Sequence, residues 1–230
     1  MRVLIACEYS GRVTEQFRLA GASAYSCDVL PTLGNPRWHI QDDVLNIIHN
    51  YWDLMIAFPP CTHLAVSGAR WFNEKEDEQI RALEFVKELW DAPIPFICIE
   101  NPVSMISTYM RRPHQRLHPY QFGDDASKAT YLWLKGLRAI EIPPKRAWIA
   151  PRIVTVDGKQ VKRWGNQSDK GYHNVPDTPT RGLKKSLTYP GIARAMASNW
   201  ASLRSGQFSL DTIQPWFTRA QFRSDQLRER

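Results

Sequence analysis

Residues 2–28, RVLIACEYSGRVTEQFRLAGASAYSCD, decide the fold class. RVLIAC (2–7) is an unbroken apolar run, the pattern of a strand buried on both faces. GRVTEQFRLAG (11–21) follows as a helix closed by Gly21. ASAYSCD (22–28) is a second strand, ending on an acid. A strand, a helix and a strand in so short a span predict two parallel strands joined by a helical crossover.

The same alternation continues outward. WHIQDDV (38–44) reads as a short third strand with a loop, and YWDLMIAF (51–58) as a strand running into Pro59-Pro60. EKEDEQIRALEFVKELWDA (74–92) is a helix whose apolar stripe is Ile80, Leu83, Phe85, Val86 and Leu89. PFICIE (95–100) is another strand ending on an acid. ATYLWLKGLRAI (129–140) has strand-like alternation, and YPGIARAMASNWASL (189–203) returns to helix, with Pro190 in its first turn. The expected architecture is α/β: a mostly parallel sheet with helices on both faces, plus a small basic lobe. Ligands of such sheets bind beyond the carboxyl ends of the strands. Glu8, Asp28, Asp43, Cys61 and Glu100 all fall there.

Composition narrows the class. A chain of 230 residues with 43% hydrophobic content can bury one full core carrying a small lobe. No apolar run approaches the ~20 residues that span a bilayer, so no membrane partner is expected. The first residues, MRVLIACEYSGR, are too short for a signal peptide and read as a buried strand. Four cysteines without a CxxC spacing make structural zinc and a disulfide framework unexpected, and a reduced, cytoplasmic protein is the expectation. The six histidines show no metal-ligand spacing, and only His63 falls near the candidate site.

Charge is segregated along the chain. Residues 1–110 carry 8 Lys/Arg against 14 Asp/Glu, whereas residues 111–185 carry 16 against 6. An acidic front followed by a basic middle points to a catalytic body joined to a surface that faces a polyanion. The expected division is a catalytic and cofactor-binding unit over 1–139 and a small basic lobe, irregular or hairpin-bearing, over 140–185. A returning helix over 186–203 and a polar tail over 204–230 complete it, the tail with a short amphipathic helix around Trp216, Phe217 and Phe222. Trp133 and Trp148 are read first as packing residues, with stacking on bases as the second reading.

Two segments carry the chemistry. DLMIAFPPCTHLAVSG (53–68) puts Cys61 directly after two rigid prolines at a strand end, where a thiol is either an exposed nucleophile or a small buried residue. FICIENPVS (96–104) puts Glu100 at the end of the next strand. There a carboxyl group either protonates a ring nitrogen or forms a turn.

Taken together, FPPC and ENP, in this order and beyond a strand–loop–helix opening, resemble the cytosine-5 DNA methyltransferase family, in particular its short phage- and prophage-type members. The resemblance covers most of residues 2–137 and resumes at 186–203. It implies a Rossmann-like methyltransferase fold, a cytoplasmic setting in a bacterium or infected cell, and S-adenosylmethionine as cofactor. ACEYSGRV (6–13) occupies the cofactor-loop position, which assigns Glu8, Tyr9, Ser10 and Gly11 to the cofactor, with its amino-acid end at a helix N-terminus. Asp28 and Asp43 would take the ribose hydroxyls and the adenine amino group. Cys61 would be the nucleophile, Glu100 the acid at the base, and Lys128, in SKATYLWLKGL (127–137), the cation at its carbonyl oxygen. Pro60 and Asn101 would line the base pocket, and TYPGIARAMA (188–197) would close the cofactor pocket.

The chain departs from the family at Glu8-Tyr9-Ser10-Gly11, which lacks a Gly-x-Gly, at Thr62 in place of glutamine, at Asn101-Pro102 in place of Asn-Val, and at Lys128 in place of arginine. Residues 140–185 leave room only for a reduced target-recognition region. The implied reaction is methyl transfer to carbon 5 of cytosine through a cysteine adduct at carbon 6. The alternatives are another one-carbon donor, a free nucleotide substrate, or a DNA-binding homologue without turnover.

Overall fold

A computed structural model describes residues 1–65, 76–174 and 181–203. Its main sheet contains β1 (Arg2–Ala6), β2 (Ser23–Asp28), β3 (His39–Gln41), β4 (Leu54–Ala57), β5 (Phe96–Asn101), β6 (Gln115–Leu117) and β7 (Thr130–Lys135). The strands run in the order β3-β2-β1-β4-β5-β7-β6. The first five are mutually parallel, and β7 lies antiparallel to both β5 and β6. The 3-2-1-4-5 order is that of doubly wound sheets, so the fold is Rossmann-like, with an antiparallel edge.

Alternation along each central strand feeds two cores. In β1, Val3 and Ile5 point to one face, with Val13 and Phe17 of α1 (Arg12–Leu19) and Ile192, Met196 and Trp200 of α5 (Pro190–Trp200). Leu4 and Ala6 point to the other, with Leu83, Val86 and Leu89 of α2 (Glu76–Asp91) and Ile106 of α3 (Ile106–Tyr109). The period of two in an all-apolar strand is what allows helices on both faces. Phe85 of the expected α2 stripe is only half-buried, packed at the margin of this second core.

The amino end of α5 docks closely on the sheet's last connection. Gly191 donates its N–H to Asp124 Oδ2 at 2.9 Å, and a Cβ on Gly191 would lie 2.2 Å from the carbonyl oxygen of Phe122. The strand read over 129–140 is shorter than its alternation indicates. It ends at Lys135 because Gly136 turns at φ 68°, where a Cβ would lie 2.7 Å from the Pro95 carbonyl oxygen. The three-residue β6 was not foreseen within the basic, proline-containing 111–121. Its pairing comes from β7, not from its own pattern. Beyond the sheet, β8 (Arg152–Val156) and β9 (Lys159–Arg163) form a separate antiparallel hairpin. α4 (Arg181–Ser186) precedes α5. The amphipathic helix expected around Trp216 lies outside the described residues. No helix among the described residues is long and apolar enough to cross a membrane.

Candidate active site

The strand order reverses between β1 and β4, so the ligand crevice of this topology opens beyond their carboxyl ends. On the β1 side the chain turns at Cys7, which holds φ 57°, a left-handed conformation uncommon for a residue with a side chain. Burial raises the Cys7 thiol well above the ordinary range, and the carboxylates of Asp28 and Asp43 raise it further. Those two acids stand at the ends of the neighbouring strands β2 and β3. Each also takes part in its own turn: Asp28 Oδ1 accepts from Leu30 N at 2.9 Å, and Asp43 Oδ1 from Leu45 N at 3.0 Å.

Glu8, expected to line the cofactor pocket, is turned into the chain. It is 4% exposed, and its two oxygens accept from Val13 N at 2.7 Å, Thr14 N at 3.2 Å, Thr14 Oγ1 at 2.7 Å and Ser10 Oγ at 3.1 Å. The carboxylate caps the first turn of α1, satisfying N–H groups that would otherwise be orphaned. The anion position expected to receive the cofactor's amino-acid end is thus filled from within the chain. Burial raises the Glu8 pKa while these hydrogen bonds lower it. Tyr9 is likewise engaged, its hydroxyl donating to the Leu183 carbonyl oxygen at 2.7 Å.

Gly11 holds φ 70°, and a Cβ there would lie 2.9 Å from Gly34 Cα. The loop after β2 is laced to the same place: Leu33 N and Thr32 Oγ1 both donate to the Tyr9 carbonyl oxygen, at 2.8 and 2.9 Å. Ser10 Oγ receives Arg12 N at 3.3 Å. The acid pair and this narrow loop-on-loop cradle fit the polyhydroxylated, amino-bearing end of a nucleoside cofactor. The N-terminus of α1 does not fit a carboxylate. Thr32 and Gly34 were missed from sequence because contacts between loops leave no periodic signal.

On the β4 side, Cys61 is exposed at the end of the Pro59-Pro60 turn. Its carbonyl oxygen accepts from Leu64 N at 3.1 Å and Ala65 N at 2.9 Å, so the chain coils back at once. The neighbouring β5 loop holds this coil. Asn101 Nδ2 donates to the Pro59 carbonyl oxygen at 3.0 Å, and Met105 N to that of Leu64 at 2.9 Å. Asn101 is 1% exposed, and its Oδ1 has no hydrogen-bond partner.

The electrostatics of Cys61 identify its neighbours. Partial burial raises its thiol above the ordinary value, the Lys128 ammonium opposes this, and the Glu100 carboxylate adds to it. Glu100 comes from β5 and Lys128 from the segment leading into β7, opposite β5 in the sheet. A thiol, a carboxyl and an ammonium from three chain segments thus act on one another electrostatically. Such a set can add a nucleophile to a polarised heterocycle while a proton is supplied to the ring and an oxygen is held by a cation. Beside Cys61 opens a cleft of about 380 Å³ lined by Pro60, His63, Glu78, Arg81, Ala82 and Phe85. Glu78 and Arg81 at this wall come from α2 and were not among the expected site residues. His63 Nδ1 is buried without a partner at this wall. Trp133 is fully buried and donates Nε1 to the Arg111 carbonyl oxygen, which excludes it from stacking on bases. No cluster of three or more potential metal ligands occurs among the described residues.

No protein-family model matches the chain, and no curated protein matches it. Among solved structures, one that matches is an E. coli prophage-encoded protein assigned as a DNA modification methyltransferase, at 14% identity and a TM-score of 0.40. The match covers 63% of this chain and 51% of that protein, so this chain spans about half of that protein's length. At that similarity it carries no inference about chemistry.

Proposed function

We propose that the chain is a DNA cytosine-5 methyltransferase. What supports this reading is that Glu100 and Lys128, from β5 and the segment leading into the paired β7, both act electrostatically on the Cys61 thiol, beside a crevice with a pair of acids. In this mechanism the Cys61 thiolate forms a bond to carbon 6 of cytosine, and the C5–C6 π pair moves onto carbon 5. Glu100 delivers a proton to ring nitrogen 3, which neutralises the charge that develops there. Lys128 stabilises the carbonyl oxygen as a point charge. S-adenosylmethionine, when bound, would supply an electrophilic methyl group to carbon 5, its sulfur leaving as a neutral thioether. Loss of the carbon-5 proton to water and return of the nitrogen-3 proton to Glu100 restore the C5–C6 double bond and expel Cys61 as thiolate.

Asp28 and Asp43 would hold the nucleoside end of S-adenosylmethionine through its ribose hydroxyls and adenine amino group, with Ser10 and Gly11 forming the wall of its pocket. Glu8 acts indirectly, by fixing the start of α1. Pro60 and Asn101 shape the base pocket. Because the target atom is inaccessible in a stacked duplex, the base must be extruded or met single-stranded. The basic 111–185 region supplies the phosphate contacts.

Nucleoside mass spectrometry tests the reading, on DNA from a methylase-free host expressing the wild type or Cys61→Ala. 5-Methylcytosine that appears with the wild type and is lost in the variant supports it. A different cytosine modification lost in the variant would overturn the donor, and unmodified DNA from both would overturn the reaction.

A further inference from the structure

The β8–β9 hairpin is built as a projecting ribbon. Its turn is Asp157-Gly158, at φ 49° and 75°, and both positive values belong to the tight two-residue connection that matches strand twist. The register pairs Ile153 with Lys162 and Thr155 with Gln160. These four therefore share one face, and all four are exposed. On the other face Val154, Val156 and Val161 are half-buried. Ile153 is 55% exposed, an apolar side chain held out between polar neighbours.

The root of the ribbon is fixed to the catalytic sheet. Tyr120 stacks on Trp164 with ring centroids 4.5 Å apart, and its carbonyl oxygen accepts from Ile149 N at 2.9 Å. Asn166 clasps the backbone of Ser127, Oδ1 accepting from its N–H at 2.9 Å and Nδ2 donating to its carbonyl oxygen at 3.2 Å. Ser127 directly precedes Lys128. Arg152 and Arg163 brace the base of the ribbon, Arg152 through Asp169 and Arg163 through Nε to the Asp169 carbonyl oxygen at 2.9 Å.

We infer that the β8–β9 ribbon enters the major groove of duplex DNA and reads base edges through Thr155, Gln160 and Lys162, with Ile153 against a thymine methyl. The inference deepens the proposed function and rests on DNA being its substrate. Five-residue strands are about 17 Å long, and a two-stranded ribbon fits a major groove about 12 Å wide. The face carries the types that discriminate bases: an amide for adenine, an ammonium for guanine and methyl-bearing side chains for thymine. Lys159 at the tip and Lys162 make the ribbon complementary to the polyanion. Because Asn166 and Ser127 tie its root to the residue before Lys128, a base read by the ribbon is held in fixed relation to the catalytic cation.

Selection from a random 16-base-pair duplex library, without methyl donor, tests this on the full chain. The wild type is expected to enrich a short motif. Gln160→Ala and Lys162→Ala should each lose preference at one position by roughly 5- to 150-fold, the range of a bidentate base contact. Their affinity for unrelated duplex should stay within about threefold, and their melting temperatures should match the wild type because both side chains are exposed. Enrichment of an unchanged motif by both variants overturns the inference. So does a wild type that selects no duplex motif or that prefers single-stranded DNA or RNA. The reaction is read separately by nucleoside mass spectrometry: modified cytosine with a ribbon-independent motif sinks this inference alone, whereas a ribbon-dependent motif without modified cytosine sinks the reaction alone.

Discussion

Asn101 donates its side-chain amide to the carbonyl oxygen of Pro59, 3.0 Å away, and so ties the loop of Glu100 to the loop of Cys61. The bond is buried and lies two residues ahead of the thiol. Asn101→Ala removes it and leaves the Pro59 oxygen unpaired, at a cost of about 1–3 kcal/mol. The larger effect should be on the reaction, because a misplacement of about 1 Å can lower a rate about 100-fold. The expected outcome is a fall in kcat with little change in KM for DNA. A lower Tm with unchanged kcat would reduce the bond to a structural role.

The reactivity of Cys61 should report the charges around it. Its thiol is raised by burial, lowered by Lys128 and raised by Glu100. Below its pKa the thiolate fraction grows about tenfold per pH unit, so a raised thiol alkylates slowly at neutral pH. Lys128→Ala removes the lowering charge and should slow iodoacetamide modification several-fold, moving its pH profile upward. Glu100→Gln removes a raising charge and should do the opposite. Peptide mapping of the alkylated site at several pH values measures both, and identical profiles would show that the three groups do not interact.

Glu8 should matter to stability more than to ligand contact. Its buried carboxylate takes two backbone N–H groups of α1 and two hydroxyls. Glu8→Ala orphans those donors, and the expected loss is about 2–4 kcal/mol. At about 2–4 °C per kcal/mol for a chain of this size, thermal melting resolves the change. Glu8→Gln keeps one acceptor oxygen and should recover part of it. Equal melting of all three proteins would contradict the capping role.

The central parallel strands β1, β4 and β5 were legible because each is an apolar run bounded by turn residues, and β1 shows why even an unalternating run orders two cores. The strand ends that carry Pro59-Pro60-Cys61 and Glu100-Asn101 were legible because prolines and an Asn-Pro pair stop the apolar runs of β4 and β5 there. Three features were not. β6 borrows its pairing from β7. Glu8 lies in the expected loop, but its direction is set by unsatisfied N–H groups that no sequence pattern displays. The contact of Gly11 with Gly34 joins loops that share no period.

That glycine contact yields the last prediction. Gly11 needs its left-handed φ of 70°, and any Cβ would meet Gly34 Cα at 2.9 Å, backbone that cannot swing aside as a side chain would. Gly11→Ala combines a conformational cost of about 1–2 kcal/mol with this clash. Gly34→Ala adds a Cβ 3.0 Å from Gly11 Cα without a positive φ, and so tests the clash alone. Both should push the loop after β2 away from the loop after β1 and open the cradle beside Asp28 and Asp43. Calorimetric titration with S-adenosylhomocysteine should show weaker binding to both variants, more so for Gly11→Ala, while Cys61 alkylation is unchanged. Binding at wild-type affinity in both would remove this cradle from the cofactor site.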